Sequence, residues 1–146
     1  MRCFIDSNIL IYLRDRRSPA KTERATGWVR ELSDREGLVV SPQVINEFTA
    51  VLTRKLRMFS LSEVEPMVAE IGRWCDAPLT FETSSLAFGV HERFGFAWWD
   101  SLIVASALQS NCELLLSEDM SHGQRIGPLM TINPFLVRPD EILSQD

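Results

Sequence analysis

Short, largely apolar runs separated by longer stretches of helical period constrain this chain more than any other feature. Cys3-Phe4-Ile5, Leu38-Val39-Val40-Ser41 and Leu114 to Ser117 read as buried strands, and Leu129 to Ile132 as a short further one. Between the first two, Ala20 to Glu36 carries Ala25, Trp28, Val29 and Leu32 on one helical stripe after Pro19, and Gly37 ends it. Pro42 opens another helix running to about Leu56, with Val44, Phe48, Val51 and Leu52 inward. Ser62 and Glu65 have capping-box spacing and predict a helix start, with Val64, Val68, Ile71 and Cys75 as its apolar face. Pro78 to Phe81 is predicted as a strand, Ser85 to Phe94 as a helix stopped by Gly95, and Trp98 to Asn111 as a deeply buried helix. Parallel strands need crossover connections, so this alternation predicts an α/β fold whose mainly parallel sheet of four to five strands is wrapped on both faces.

At 146 residues and 45% hydrophobic content, one domain spanning residues 1–146 with a single core is expected. No apolar run approaches the ~18 residues of a membrane span. Arg2 and Asp6 break any signal-peptide core, so a cytoplasmic protein with no membrane partner is expected. Cys3, Cys75 and Cys112 lack zinc-site spacing and are read as buried reduced thiols. A net charge of −5 argues against a broadly basic nucleic-acid binder.

That acidity is unevenly spent. Asp6, Glu47, Asp100 and Asp119 stand beside or within apolar segments where a carboxylate has little structural use, and they account for four of the five net charges. Each has an ordinary competing role: Asp6 and Asp100 as helix N-caps, Glu47 as a solvated helix flank, Asp119 as a turn former. Their joint placement is the stronger signal. Asp6 and Asp119 fall just past strand ends, where ligands bind in open parallel sheets. Clustered carboxylates repel unless a cation holds them, and an all-oxygen set suits Mg²⁺ or Mn²⁺ better than zinc or copper. His91 and His122 are read as helix-surface and loop residues and Tyr12 as core packing; no Gly-rich phosphate loop is present.

Phe4-Ile5-Asp6-Ser7-Asn8, Asn46-Glu47-Phe48, Gly95 through Ala107, and Leu116-Ser117-Glu118-Asp119-Met120 with His122-Gly123-Gln124 resemble, in order, the four motifs of PIN-domain ribonucleases, particularly VapC-type toxins. Asn133-Pro134-Phe135 is similar to the usual C-terminal ending of that family. The resemblance implies a three-layer α/β/α sandwich, Mg²⁺- or Mn²⁺-dependent endoribonuclease activity, a homodimer, and inhibition by a cognate antitoxin. In that reading Asp6, Glu47, Asp100 and Asp119 hold one or two metal ions, with Asn8 and Ser117 in the supporting shell. Arg54, seven residues past Glu47, is expected on the same helix face as a contact for the RNA substrate, with Lys55 and Arg57 behind it and Arg14, Arg16 and Arg17 as a second basic cluster. Met58 and Phe59 are read first as core and otherwise as part of a groove that accepts a partner's helix or extended segment, a weak pointer to an antitoxin surface. The alternative is a catalytically inactive PIN-like module that binds RNA or protein. Phosphoacceptor and haloacid-type phosphatase readings fit poorly, since a single acid follows the first strand and no lysine lies beyond Lys55.

Overall fold

The computed structural model describes residues 1–143. Strand β1 (Cys3–Ile5) lies between β2 (Leu38–Val39) and β3 (Leu114–Leu116) in a five-stranded sheet that β5 (Leu129–Ile132) and β4 (Arg125–Ile126) complete, in the order β2-β1-β3-β5-β4. Cys3 pairs with Leu38 on one side and Leu114 on the other, and Leu115 of β3 pairs with Thr131, all in parallel. Every residue of β1 and β3 is buried, as a sheet covered on both faces requires. Strand β4 was not expected; it folds back antiparallel on β5 through Gly127, whose φ of 59° suits the tight turn.

The helices are α1 (Ser7–Ile11), α2 (Pro19–Asp34), α3 (Pro42–Ala50), α4 (Leu61–Ile71), α5 (Phe81–Phe94), α6 (Trp98–Gln109) and α7 (Pro139–Ile142). Helix α6 is buried continuously from Ser101 to Ala107, and Gly95 ends α5 in the left-handed conformation at φ 74°. One large apolar cluster runs from Cys3 to Leu143 and includes Phe4, Trp28, Phe48, Ile103 and Leu115.

Four expectations are corrected. Pro78 to Phe81 is not a strand: Val40 bridges to Cys75, donating to the Trp74 carbonyl at 2.8 Å and accepting from Ala77 at 3.1 Å. Proline brings no donor to a ladder, and Phe81 instead begins α5. The working capping box is Ser60 with Glu63, not Ser62 with Glu65: Glu63 N donates to Ser60 Oγ at 3.2 Å, and Ser60 N to Glu63 Oε1 at 3.0 Å. Beyond Ala50 the helix from Pro42 loosens into a π turn, Val51–Lys55, in which Leu56 N reaches back to the Val51 carbonyl at 2.8 Å. Cys75 is half-buried, while Cys3 and Cys112 are buried free thiols as expected.

The order of strands decides where a site can form. Chain flow passes from β1 outward to β2, then returns to lay β3 on the other flank of β1, so direction reverses between β1 and β3. Loops leaving the carboxyl ends of such neighbours diverge and leave a crevice. Asp6 N donates to the Leu116 carbonyl at 3.0 Å and so begins one wall; Ser117, held by Ile132 at 3.0 Å, begins the other.

Candidate active site

Asp6 is both a cap and more than a cap. Its Oδ1 accepts the Ser7 amide at 2.8 Å at the start of α1, while Oδ2 accepts the Ser117 hydroxyl at 2.9 Å. The residue is only 4% exposed. Burial pushes its pKa from 3.8 to about 7; the hydrogen bonds from Ser117 and Ser7 oppose this, and the charges of Glu47 and Asp100 add to it.

Glu47 is not a solvated flank. It is half-buried on α3, where Ser7 Oγ donates to Oε2 at 2.9 Å and Gln43 Nε2 to Oε1 at 2.9 Å. Asp100 does not cap α6, because the helix begins two residues earlier with Ala97 at the N-cap. It sits half-buried in the first turn without a hydrogen-bond partner among the described residues, and its pKa is raised by burial, then by Asp119 and Glu47. Asp119 is exposed; its Oδ2 accepts Asn8 Nδ2 at 2.8 Å and its amide donates to Ser117 Oγ at 3.2 Å. Ser117 Oγ therefore ties Asp6 to Asp119, and Asn8 Nδ2 also approaches it at 3.4 Å. The structure brings all four acids, with Asn8 and Ser117, to the β1/β3 crevice, near enough for their charges to perturb one another.

Two participants escaped the sequence reading. Ser7 and Gln43 orient both oxygens of Glu47, and Gln43 Nε2 also donates to the Trp99 carbonyl at 3.1 Å, tying α3 to the start of α6. Gln43 lies four residues before Glu47 on one helix, a spacing that could have found it. Tyr12 is likewise not simple core packing: half-buried, it donates to Glu118 Oε1 at 2.6 Å beside Asp119, and Lys21 binds the other Glu118 oxygen at 2.9 Å.

The donor set fits a hard cation held largely through water. Among the described residues, no three His, Cys, Asp or Glu side chains form a ready cage for one ion. Magnesium commonly takes one or two carboxylates and keeps several waters, so such a cage is not required. Asn8 Oδ1 and Gln43 Oε1 are buried acceptors with no partner, both beside the carboxylates. Unpaired oxygens next to mutually repelling acids suit a hydrated cation and are costly otherwise.

The basic residues are less concentrated. Arg54 is exposed and without a partner among the described residues. It lies in the π turn Val51–Lys55 that follows α3, the helix carrying Glu47. Arg17 is clamped by Asp15 at 2.8 Å and Arg14 reaches Glu70 at 3.5 Å, while Arg16 is exposed. Met58 is exposed and Phe59 half-buried. His91 is exposed on α5, and His122 in its loop accepts the Asn133 amide at 3.0 Å. Among the described residues no helix is long and apolar enough to cross a membrane.

Residues 3–124 match the PIN domain family. The fold is similar to that of VapC20 from Mycobacterium tuberculosis, a sarcin-ricin loop cleaving toxin, with a TM-score of 0.59 at 15% sequence identity over 77% of this chain and 86% of that one. Among curated proteins, none matches the sequence significantly.

Proposed function

This chain belongs to the PIN-domain family, and from that premise we propose that it is a Mg²⁺- or Mn²⁺-dependent endoribonuclease acting as the toxin of a type II toxin–antitoxin pair. One observation carries the proposal: carboxylates from four distant segments meet at the strand-order reversal, and burial with like-charged neighbours raises the pKa of Asp6 to about 7. A carboxylate kept there has little use unless a cation or a proton compensates it.

The residues divide the work. Asp6 and Glu47 are locked in orientation by Ser117, Ser7 and Gln43, and with Asp100 and Asp119 they would hold the ion directly or through water. A bound divalent ion supplies an activated water and offsets charge on the leaving oxygen. Asp100 carries no hydrogen bond among the described residues, which leaves its oxygens free to hold the ion or a water bound to it. Asn8 and Ser117 keep Asp119 facing the crevice. The RNA substrate, a cognate antitoxin, a homodimeric state and a cytoplasmic location go with this reading through the family resemblance.

The test is cleavage of a mixed RNA pool with Mg²⁺, with Mn²⁺ and with EDTA. Cleavage is expected with either metal and not with the chelator. Asp6→Asn and Asp100→Asn should fold, by circular dichroism, and lose nearly all cleavage. Full activity in either variant would remove the assignment, and metal-independent RNA binding without product would favour a binding module.

A further inference from the structure

We propose that the cavity between α2 and the start of α7 binds phosphates of the RNA backbone as they leave the carboxylate cluster; this rests on the nuclease reading above. The cavity measures about 680 Å³ and is lined by Arg24, Arg30 and Arg138, with Glu23 the one acidic residue in its wall. Three guanidinium groups face Glu23 in the lining, with Asp140 and Glu141 beside Arg138 at its rim, so the Arg24 and Arg30 side of the cavity is locally basic in a chain of net charge −5.

The guanidinium groups are available. Arg30 is exposed with no partner among the described residues. Arg24 commits Nη1 to the Pro134 carbonyl at 3.2 Å and nothing else. Arg138 pairs with Asp140 at 3.1 Å, but both side chains are well exposed, and such surface pairs are weak enough for a phosphate to displace. Gly27 forms part of the floor: a Cβ there would meet nothing within 4 Å, so the absent side chain leaves the space open. Arg24 and Arg30 stand roughly 9 Å apart along the helix axis, room for more than a single phosphate.

Placement ties this cavity to the acidic site. Pro134 follows the carboxyl end of β5 by two residues, and β5 runs parallel to β3, so Arg24 is anchored on the sheet edge that carries Asp6 and Ser117. One turn before Arg24, Lys21 bonds Glu118 at 2.9 Å, next to Asp119. A strand of RNA passing the carboxylates meets Lys21 and then the arginines. An acidic cluster cannot itself hold a polyanion, so positive charge must lie alongside it. Guanidinium forks match phosphate geometry.

The experiment measures binding of a labelled single-stranded RNA by anisotropy across a salt series, in the full-length chain carrying Asp6→Asn to suppress cleavage. Arg30→Ala with Arg138→Ala should weaken binding several-fold and lower the salt slope by about one per arginine lost. Gly27→Leu, which removes no charge and improves helix propensity, should weaken binding by filling the cavity. Unchanged affinity and slope in both variants, with wild-type cleavage intact, overturns the cavity and leaves the nuclease reading standing. Failure of the wild type to bind or cleave RNA overturns both. Inorganic phosphate that occupies the cavity and is not displaced by oligonucleotide would make it a free-anion site and overturn the RNA assignment.

Discussion

Asp6 concentrates the conflict between burial and charge. Its carboxyl titrates at about 7 when folded against 3.8 ordinarily, so between those values the folded chain binds the extra proton. A raised folded pKa in an acid means that metal-free protein gains stability as pH falls through 7, with the gain complete near 4. At ~1.4 kcal/mol per pH unit the gain reaches up to about 4 kcal/mol. Denaturant unfolding in EDTA at pH 5 and pH 8 should show that slope in the wild type and lose most of it in Asp6→Asn; equal slopes would mean Asp6 is ionised throughout. Since metal binding must displace the same proton, Mg²⁺ affinity should rise between pH 6 and pH 8.

At the scale of elements, boundaries follow local hydrogen bonds more than hydrophobic pattern. Two Ser-x-x-Glu motifs overlap at the start of α4, and the one whose side chains close on both backbone amides sets the helix. Ser60→Ala should cost about 1 kcal/mol, a fall in Tm of roughly 3 °C, whereas Ser62→Ala should cost less than half as much. Equal losses would mean the cap does not define this terminus. The π turn is a second case: Val51, Leu52 and Leu56 keep an apolar period that an α-helix would also satisfy, and only the Leu56-to-Val51 bond reveals the extra residue.

Among the described residues, one main core links the first strand to Leu143, joined by a small cluster of Ala87, Leu102 and Ala105 between α5 and α6. A chain of this size with one core should unfold in one cooperative step. Far-ultraviolet circular dichroism and tryptophan fluorescence are expected to report the same midpoint, since Trp28 lies in the core and Trp98 packs on the α5–α6 cluster. Separated midpoints would indicate that the α5–α6 hairpin melts by itself and that the chain does not behave as one domain.

The residues alone determined the parallel α/β class, the central strands, the buried helix after Gly95 and the identity of the suspect carboxylates, because period and apolar runs are written locally. Pairing partners are not: the β4–β5 hairpin is two residues deep on one side, and Val40 meets Cys75 instead of the apolar Pro78–Phe81 stretch. Only the tertiary structure decided that Ser7 and Gln43 hold Glu47, that Ser117 joins Asp6 to Asp119, and that three arginines from α2 and α7 share a cavity. The contacts among the carboxylates span residues 6 to 119, and the strand order, which sequence distance does not encode, is what brings them to one edge.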